Sequence, residues 1–240
     1  MPRKRSHPGN DRRRRSRPRF ADARGYATLE VGANLRMASP TAVVQAMAAL
    51  PQDLDWSVLA ARVVPLFARR RPLPAHAPAP IQVVLPPGLS VGFGVDIGPA
   101  YVSITNQLLQ QWGVGLSELI QQALANTERL ARLLKPGDVQ HGQLQDGVPV
   151  ASLTARILPA SALLFVPREL ERLFGPQERL FVAPMRDLLL ALPGDVDLTL
   201  AALVRDVAAE HDPNAIALEG VRLRHGRLTC EALGGVVGSA

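Results

Sequence analysis

Residues 180–192 read LFVAPMRDLLLAL. Two apolar runs flank Pro184, Met185, Arg186 and Asp187. Neither run alternates apolar with polar residues, so each suits a strand buried on both faces rather than a half-exposed one. The stretch predicts strands over 180–183 and 188–192, both inside a sheet, with a connection over 184–187. Asp197 then stands where a helix N-cap belongs. The helix after it carries an apolar stripe of Leu200, Leu203, Val204 and Val207 and ends before Asp212 and Pro213.

The same order of elements occurs upstream. Residues 91–96 and 101–105 read as strands joined at Gly98 and Pro99, and Thr105 caps a short helix ending near Gly113. Strand, tight turn, strand, helix is thus used twice. The fold class that follows is α/β in the broad sense (α+β): a mixed, largely antiparallel sheet built from ββα units, with helices packed on it.

The remaining elements fit around these units. Residues 81–85 (IQVVL) read as a strand before a Pro86, Pro87, Gly88 turn. Residues 116–134 form the clearest helix, with Leu116, Leu119, Ile120, Ala123, Leu130 and Leu134 on one face. Asp146 and Gly147 mark a hairpin turn. Residues 166–173 read as a short helix closed by Gly175 and Pro176. The chain ends on a hairpin turning at His225 and Gly226. There Val221 and Leu223 alternate with Arg222 and Arg224, and Leu228 and Cys230 return on the apolar face.

Four segments follow: a disordered basic tail over 1–36, a helical segment over 37–70, a proline-rich linker over 71–80, and an α/β domain over 81–240. The helical segment comprises residues 41–50, begun by Ser39 and Pro40, and about 55–68, with Pro65 kinking or ending the second helix. PLPAHAPAP at 72–80 is a stiff connector.

Charge is unevenly placed. Of 27 basic and 21 acidic residues, ten and two fall within residues 1–24, leaving 17 against 19 in the rest. The tail carries the basic character and the body is near neutral. Nucleic acid is therefore a partner only through residues 1–24, as a polyanion on a basic arm. The competing reading is a tail without a role; Met37 opens a stretch that reads as a natural start. The single cysteine, Cys230, allows no disulfide within the chain and suits a reducing, cytoplasmic compartment. No apolar run reaches the ~20 residues of a membrane-spanning helix, so no membrane partner is expected.

Motifs of chemistry do not appear. Gly92, Gly94 and Gly98 lie inside a strand pattern and do not form a dinucleotide fingerprint. There is no phosphate-cradling GxxxxGK[ST] and no GxSxG elbow. His7, His76, His141, His211 and His225 are scattered, so neither metal nor cofactor is expected. No catalytic residue is assigned. Three residues remain as ligand-binding candidates. Asn126 puts an amide on the apolar stripe of its helix, where it either locks neighbouring backbone or meets a ligand. Arg186 and Asp187 form a charged pair between apolar strands, either as turn chemistry with a salt bridge or as a site at the strand ends. His211 and Asp212 read as a helix stop, and Cys230 as a small core residue.

Two patches carry a family resemblance. GVDIGPAYVSITNQLLQQWGV with LSELIQQALANTERL, and RLFVAPMRDLLLALP, resemble the central region of the YtpQ-like bacterial proteins of unknown function. The matching residues are Trp112, Gly113, Ala123 and Asn126, then Val182, Pro184, Arg186, Asp187 and Leu189. Thr127 stands where that family tends to have Leu. The resemblance covers about residues 81–232. It implies a kindred fold and an uncharacterised cytoplasmic protein, and it carries over no active site.

The functional expectation is a non-enzymatic ligand- or protein-binding or regulatory module, with an unknown protein or small molecule as partner. The alternatives are a hydrolase-type enzyme using Arg186 and Asp187, and a nucleic-acid-associated protein acting through the tail.

Overall fold

The computed structural model describes residues 41, 42, 45, 55–67, 79–98, 100–144, 147–210, 215, 216 and 218–233. The tail over 1–36, most of the helix over 41–50, the linker over 71–78, Asp146 and the turn over 211–214 lie outside them. Thr41, Ala42 and Gln45 are helical, as expected.

The larger sheet explains the LFVAPMRDLLLAL run. Strands β7 (Arg179–Met185) and β8 (Leu188–Pro193) form a hairpin at its centre, in the order β10-β9-β7-β8-β6-β5. Here β5 is Gln140–Gln143, β6 Pro149–Thr154, β9 Gly220–Arg224 and β10 Arg227–Glu231. Every pairing is antiparallel. Leu180, Val182, Leu190 and Leu192 face one side, against Ala201 and Val204 of a helix. Phe181, Ala183, Leu189 and Ala191 face the other, against Leu163, Leu170 and Leu223. A sheet covered on both faces needs apolar residues at every position of its central strands. The strand β7 runs two residues further than its sequence suggests. Pro184 is tolerated in this central strand because the β7–β8 register shifts between Val182 and Met185, and prolines within sheets belong at such irregularities.

The smaller sheet corrects the expected helical segment. Of its described residues 55–67, Trp56–Leu59 (α1) and the 3₁₀ turn Ala60–Arg62 are helical, and Val63–Phe67 is a fully buried strand, β1. It pairs with β3 (Leu89–Asp96), which also takes β2 (Val83–Leu85) and β4 (Tyr101–Ser103) along its other edge. Pro65 cannot donate a helical hydrogen bond, and Val63 and Val64 are β-branched. Among the described residues β1 pairs with β3 alone, so Pro65 sits on an edge strand where its missing N–H is harmless. The glycines of β3 serve packing. A Cβ at Gly94 would collide with Leu66 Cδ1, and one at Gly92 would lie 3.0 Å from the Ile81 carbonyl.

Both ββα units are present. After β4, the Thr105 hydroxyl accepts from Leu108 N and starts α2 (Asn106–Trp112), which Gly113 ends at φ 66°. After β8, Asp197 accepts from Thr199 N and Leu200 N and starts α5 (Leu198–Ala209). The buried stripe of α5 is Ala201, Val204, Arg205 and Ala208, while Leu200, Leu203 and Val207 are half-buried. The helix is thus turned from its expected phase, because the alanines let it lie close to the sheet. Helix α3 (Leu116–Ala131) buries Leu119, Ala123, Asn126, Thr127 and Ala131, but Leu116 is 41% exposed. The short helix α4 is Pro167–Phe174 and ends at Gly175. Between the sheets lies the 3₁₀ segment Ala160–Phe165, buried from Ala160 to Leu164.

Candidate functional site

Asn126 is 3% exposed and its amide is committed to backbone. Nδ2 donates to the Ala60 carbonyl at 2.6 Å and the Val63 carbonyl at 2.9 Å, and Oδ1 accepts from Gln122 Nε2 at 3.0 Å. Arg129 adds a bond to the Ala61 carbonyl at 3.1 Å. The side chain bolts α3 to the junction where the 3₁₀ turn becomes β1. This is the locking role open to it from its place on the stripe.

Arg186 and Asp187 form the two-residue turn between β7 and β8, with half-buried side chains. The Arg186 carbonyl accepts from Ser161 N at 2.9 Å, and Pro184 O accepts from Ile216 N at 3.1 Å. The turn is thereby docked onto neighbouring segments. Neither cavity described next is lined by Asn126, Arg186 or Asp187.

Two cavities lie at the opposite end of the same strands, where Arg179 pairs with Pro193 and Leu223. One, about 560 Å³, is lined by Pro149, Gln177, Arg179 and Gly194 among others. The second, about 720 Å³, is lined by Arg222, Arg224, His225, Arg227, Thr229 and Glu231. Glu178 belongs to both walls. The local sequence explains the second cavity. His225 (φ 49°) and Gly226 (φ 71°) make a tight two-residue turn. Alternation then places Arg222 and Arg224 of β9 on one face with Arg227 and Thr229 of β10, since Arg227 pairs with Arg224 and Thr229 with Arg222.

Arg222 organises this face. Its side chain is 19% exposed, against 66% for Arg224. Nε donates to Glu231 Oε1 at 2.7 Å and Nη1 to Glu178 Oε1 at 3.3 Å. The bond to Glu231 raises the Arg222 pKa, against the opposing effect of burial, with Glu178 adding to the rise. Arg224 Nε stands 3.3 Å from Glu178 Oε2. The Arg227 side chain makes no hydrogen bond or ion pair among the described residues. Two carboxylates thus brace one inner guanidinium, and two further guanidinium groups stand exposed at the opening. That arrangement suits an anion held by charge-assisted bonds.

Cys230 lies opposite Val221, on the face and register expected, yet it is exposed. The core role is therefore corrected. Among the described residues β10 is the sheet edge, and there the thiol donates to the Pro87 carbonyl at 3.5 Å instead of entering the core. Burial of the thiol, then the charges of Glu219 and Glu231, raise its pKa. His141 lies on β5 and His225 at the closing turn. Among the described residues no three His, Cys, Asp or Glu side chains gather as a metal site, and no helix is long and apolar enough to cross a membrane.

No protein-family model matches the chain, and no curated protein or solved structure matches it.

Proposed function

We propose that the protein is a cytoplasmic, non-enzymatic binding module that takes a small anion at the arginine face of its closing hairpin. The observation that carries this reading is the array of Arg222, Arg224 and Arg227 around one cavity, with Arg222 held in place by Glu178 and Glu231. A braced inner guanidinium pre-organises the face, and the exposed pair supplies the charge that meets the ligand. The site moves away from Asn126, whose amide is engaged with backbone, and from Arg186 and Asp187 at the far end of the sheet.

A hydrolase built on Arg186 and Asp187 gains no support. Ser161, whose N–H bonds the Arg186 carbonyl, carries a fully buried side chain and offers a substrate no access. The nucleic-acid reading rests on residues outside those described. Kinship with the YtpQ-like proteins would leave the anion reading unchanged, since that resemblance brings no reaction.

The test is a thermal-shift screen of inorganic phosphate, sulfate and small di- and tricarboxylates, with neutral analogues as controls. Ligands that bind the native state raise its melting temperature. Anions should shift the wild type and neutral analogues should not, and Arg224→Ala should lose the shift. Shifts that survive in Arg224→Ala would remove this face as the site.

A further inference from the structure

We propose that two copies of this chain join edge to edge through β10, antiparallel about a two-fold axis at Thr229, making one continuous sheet. This goes beyond the anion reading and does not depend on it.

Strand β10 is RLTCE, and among the described residues it pairs with β9 alone and its outer edge carries no strand. It runs against β9 in unbroken register over five pairs, with no bulge to twist the edge away. Open regular edges are templates for another strand, and proteins commonly blunt them with charge. Here the charges sit at the two ends with opposite sign, Arg227 and Glu231. They disfavour most incoming strands but match this strand's own antiparallel copy. With Thr229 on the axis, Arg227 meets the partner's Glu231, Leu228 meets the partner's Cys230, and Thr229 meets itself.

Three independent features agree with that register. The first is the face: Arg227, Thr229 and Glu231 project to one side and Leu228 and Cys230 to the other, so every cross-copy pair joins like faces. The second is hydrogen-bond phase. The two-residue turn makes Arg224 and Arg227 a hydrogen-bonded pair, which directs the N–H and C=O groups of Leu228 and Cys230 outward. Those are the residues the two-fold places opposite one another. The third is charge. Arg224 and Arg227 lie directly opposite within the hairpin, an unfavourable pairing of like charges. Glu231 already accepts from Arg222 Nε through Oε1, and in the dimer the same carboxylate comes beside the partner's Arg227. Such an interface closes on itself as a two-fold dimer.

The experiment places a thiol on the axis. Residues facing each other in a non-hydrogen-bonded antiparallel pair have Cα atoms about 4.5 Å apart, within disulfide range. Thr229→Cys in a Cys230→Ser background should oxidise to a linked dimer far faster than Val58→Cys in the same background, Val58 being 59% exposed and remote from β10 in sequence. Sedimentation should show the wild type self-associating. Arg227→Glu should weaken that association about tenfold or more, by setting two carboxylates face to face at both ends. Mixing Arg227→Glu chains with Glu231→Arg chains should restore association, because both end pairs become attractive again. Cross-linking of Thr229→Cys no faster than of Val58→Cys would overturn the proposal. So would association unaffected by Arg227→Glu.

Discussion

At the scale of single residues, polar groups in this protein mostly hold backbone. Asn126 is the clearest case, with its amide shared between the Ala60 and Val63 carbonyls. Asn126→Leu keeps the bulk and leaves two buried carbonyls without their donor. The expected loss is about 1–3 kcal/mol in urea unfolding; a change within error would show that those carbonyls find water instead. Cys230 gives a second test. Its raised pKa lowers the thiolate fraction at neutral pH, and the thiolate is the reactive form. Alkylation by iodoacetamide should therefore run slower in the native protein than in the unfolded chain at neutral pH, although the residue is exposed. The gap should close as pH rises through the shifted value. Equal rates at neutral pH would contradict the rise in the thiol pKa caused by its partial burial and, after it, by Glu219 and Glu231. The phase of α3 put Asn126 on the buried stripe, and its partners lie more than 60 residues earlier. The sequence therefore shows that the amide must be satisfied, but not by what.

At the scale of elements, local signals served best where an element's own residues decide its form. The LFVAPMRDLLLAL run, the Thr105 and Asp197 caps, and the His225, Gly226 turn all read correctly because each is settled within a few residues. Residues 63–67 did not, because their form is decided by β3, about 30 residues later, and the nearby helical turn of Trp56–Leu59 hid the switch. The phase of α5 failed for a related reason: small Ala201 and Ala202 pack against leucines of β7 and β8 that no helical wheel contains. The Asp197 cap gives a pH test with a definite sign. Bonds from Leu200 N and Thr199 N lower its carboxyl pKa, so the native state favours the charged form. Its stabilising effect is present above the ordinary carboxylate range and is lost as pH falls through the folded-state value. Asp197→Ala should melt below the wild type at neutral pH, and the difference should shrink on acidification. A difference independent of pH would mean that the carboxylate charge has no part in the cap.

At the scale of the whole molecule, the larger sheet has a rigid middle and a polar end. Strands β7 and β8 are buried on both faces, whereas β5 and β10 are edges rich in polar residues. In native-state hydrogen exchange the amides of β7 and β8 should be the slowest, and the amides of the edge strand β5 that point away from β6 among the fastest. Uniform protection across the six strands would contradict that layering. The alternation of 221–231 already places Arg222 and Arg224 opposite the apolar face. What the sequence hides is Glu178, 44 residues earlier, whose carboxylate braces Arg222 and gives the face its order. Calorimetric titration with the anion that most stabilises the protein bears most directly on function. The expected result is one saturable site in the wild type, weakened by added salt, about tenfold or more weaker in Arg224→Ala, and unchanged in Arg186→Ala. Affinity lost in Arg186→Ala and retained in Arg224→Ala would contradict the assignment and return the site to the β7–β8 turn.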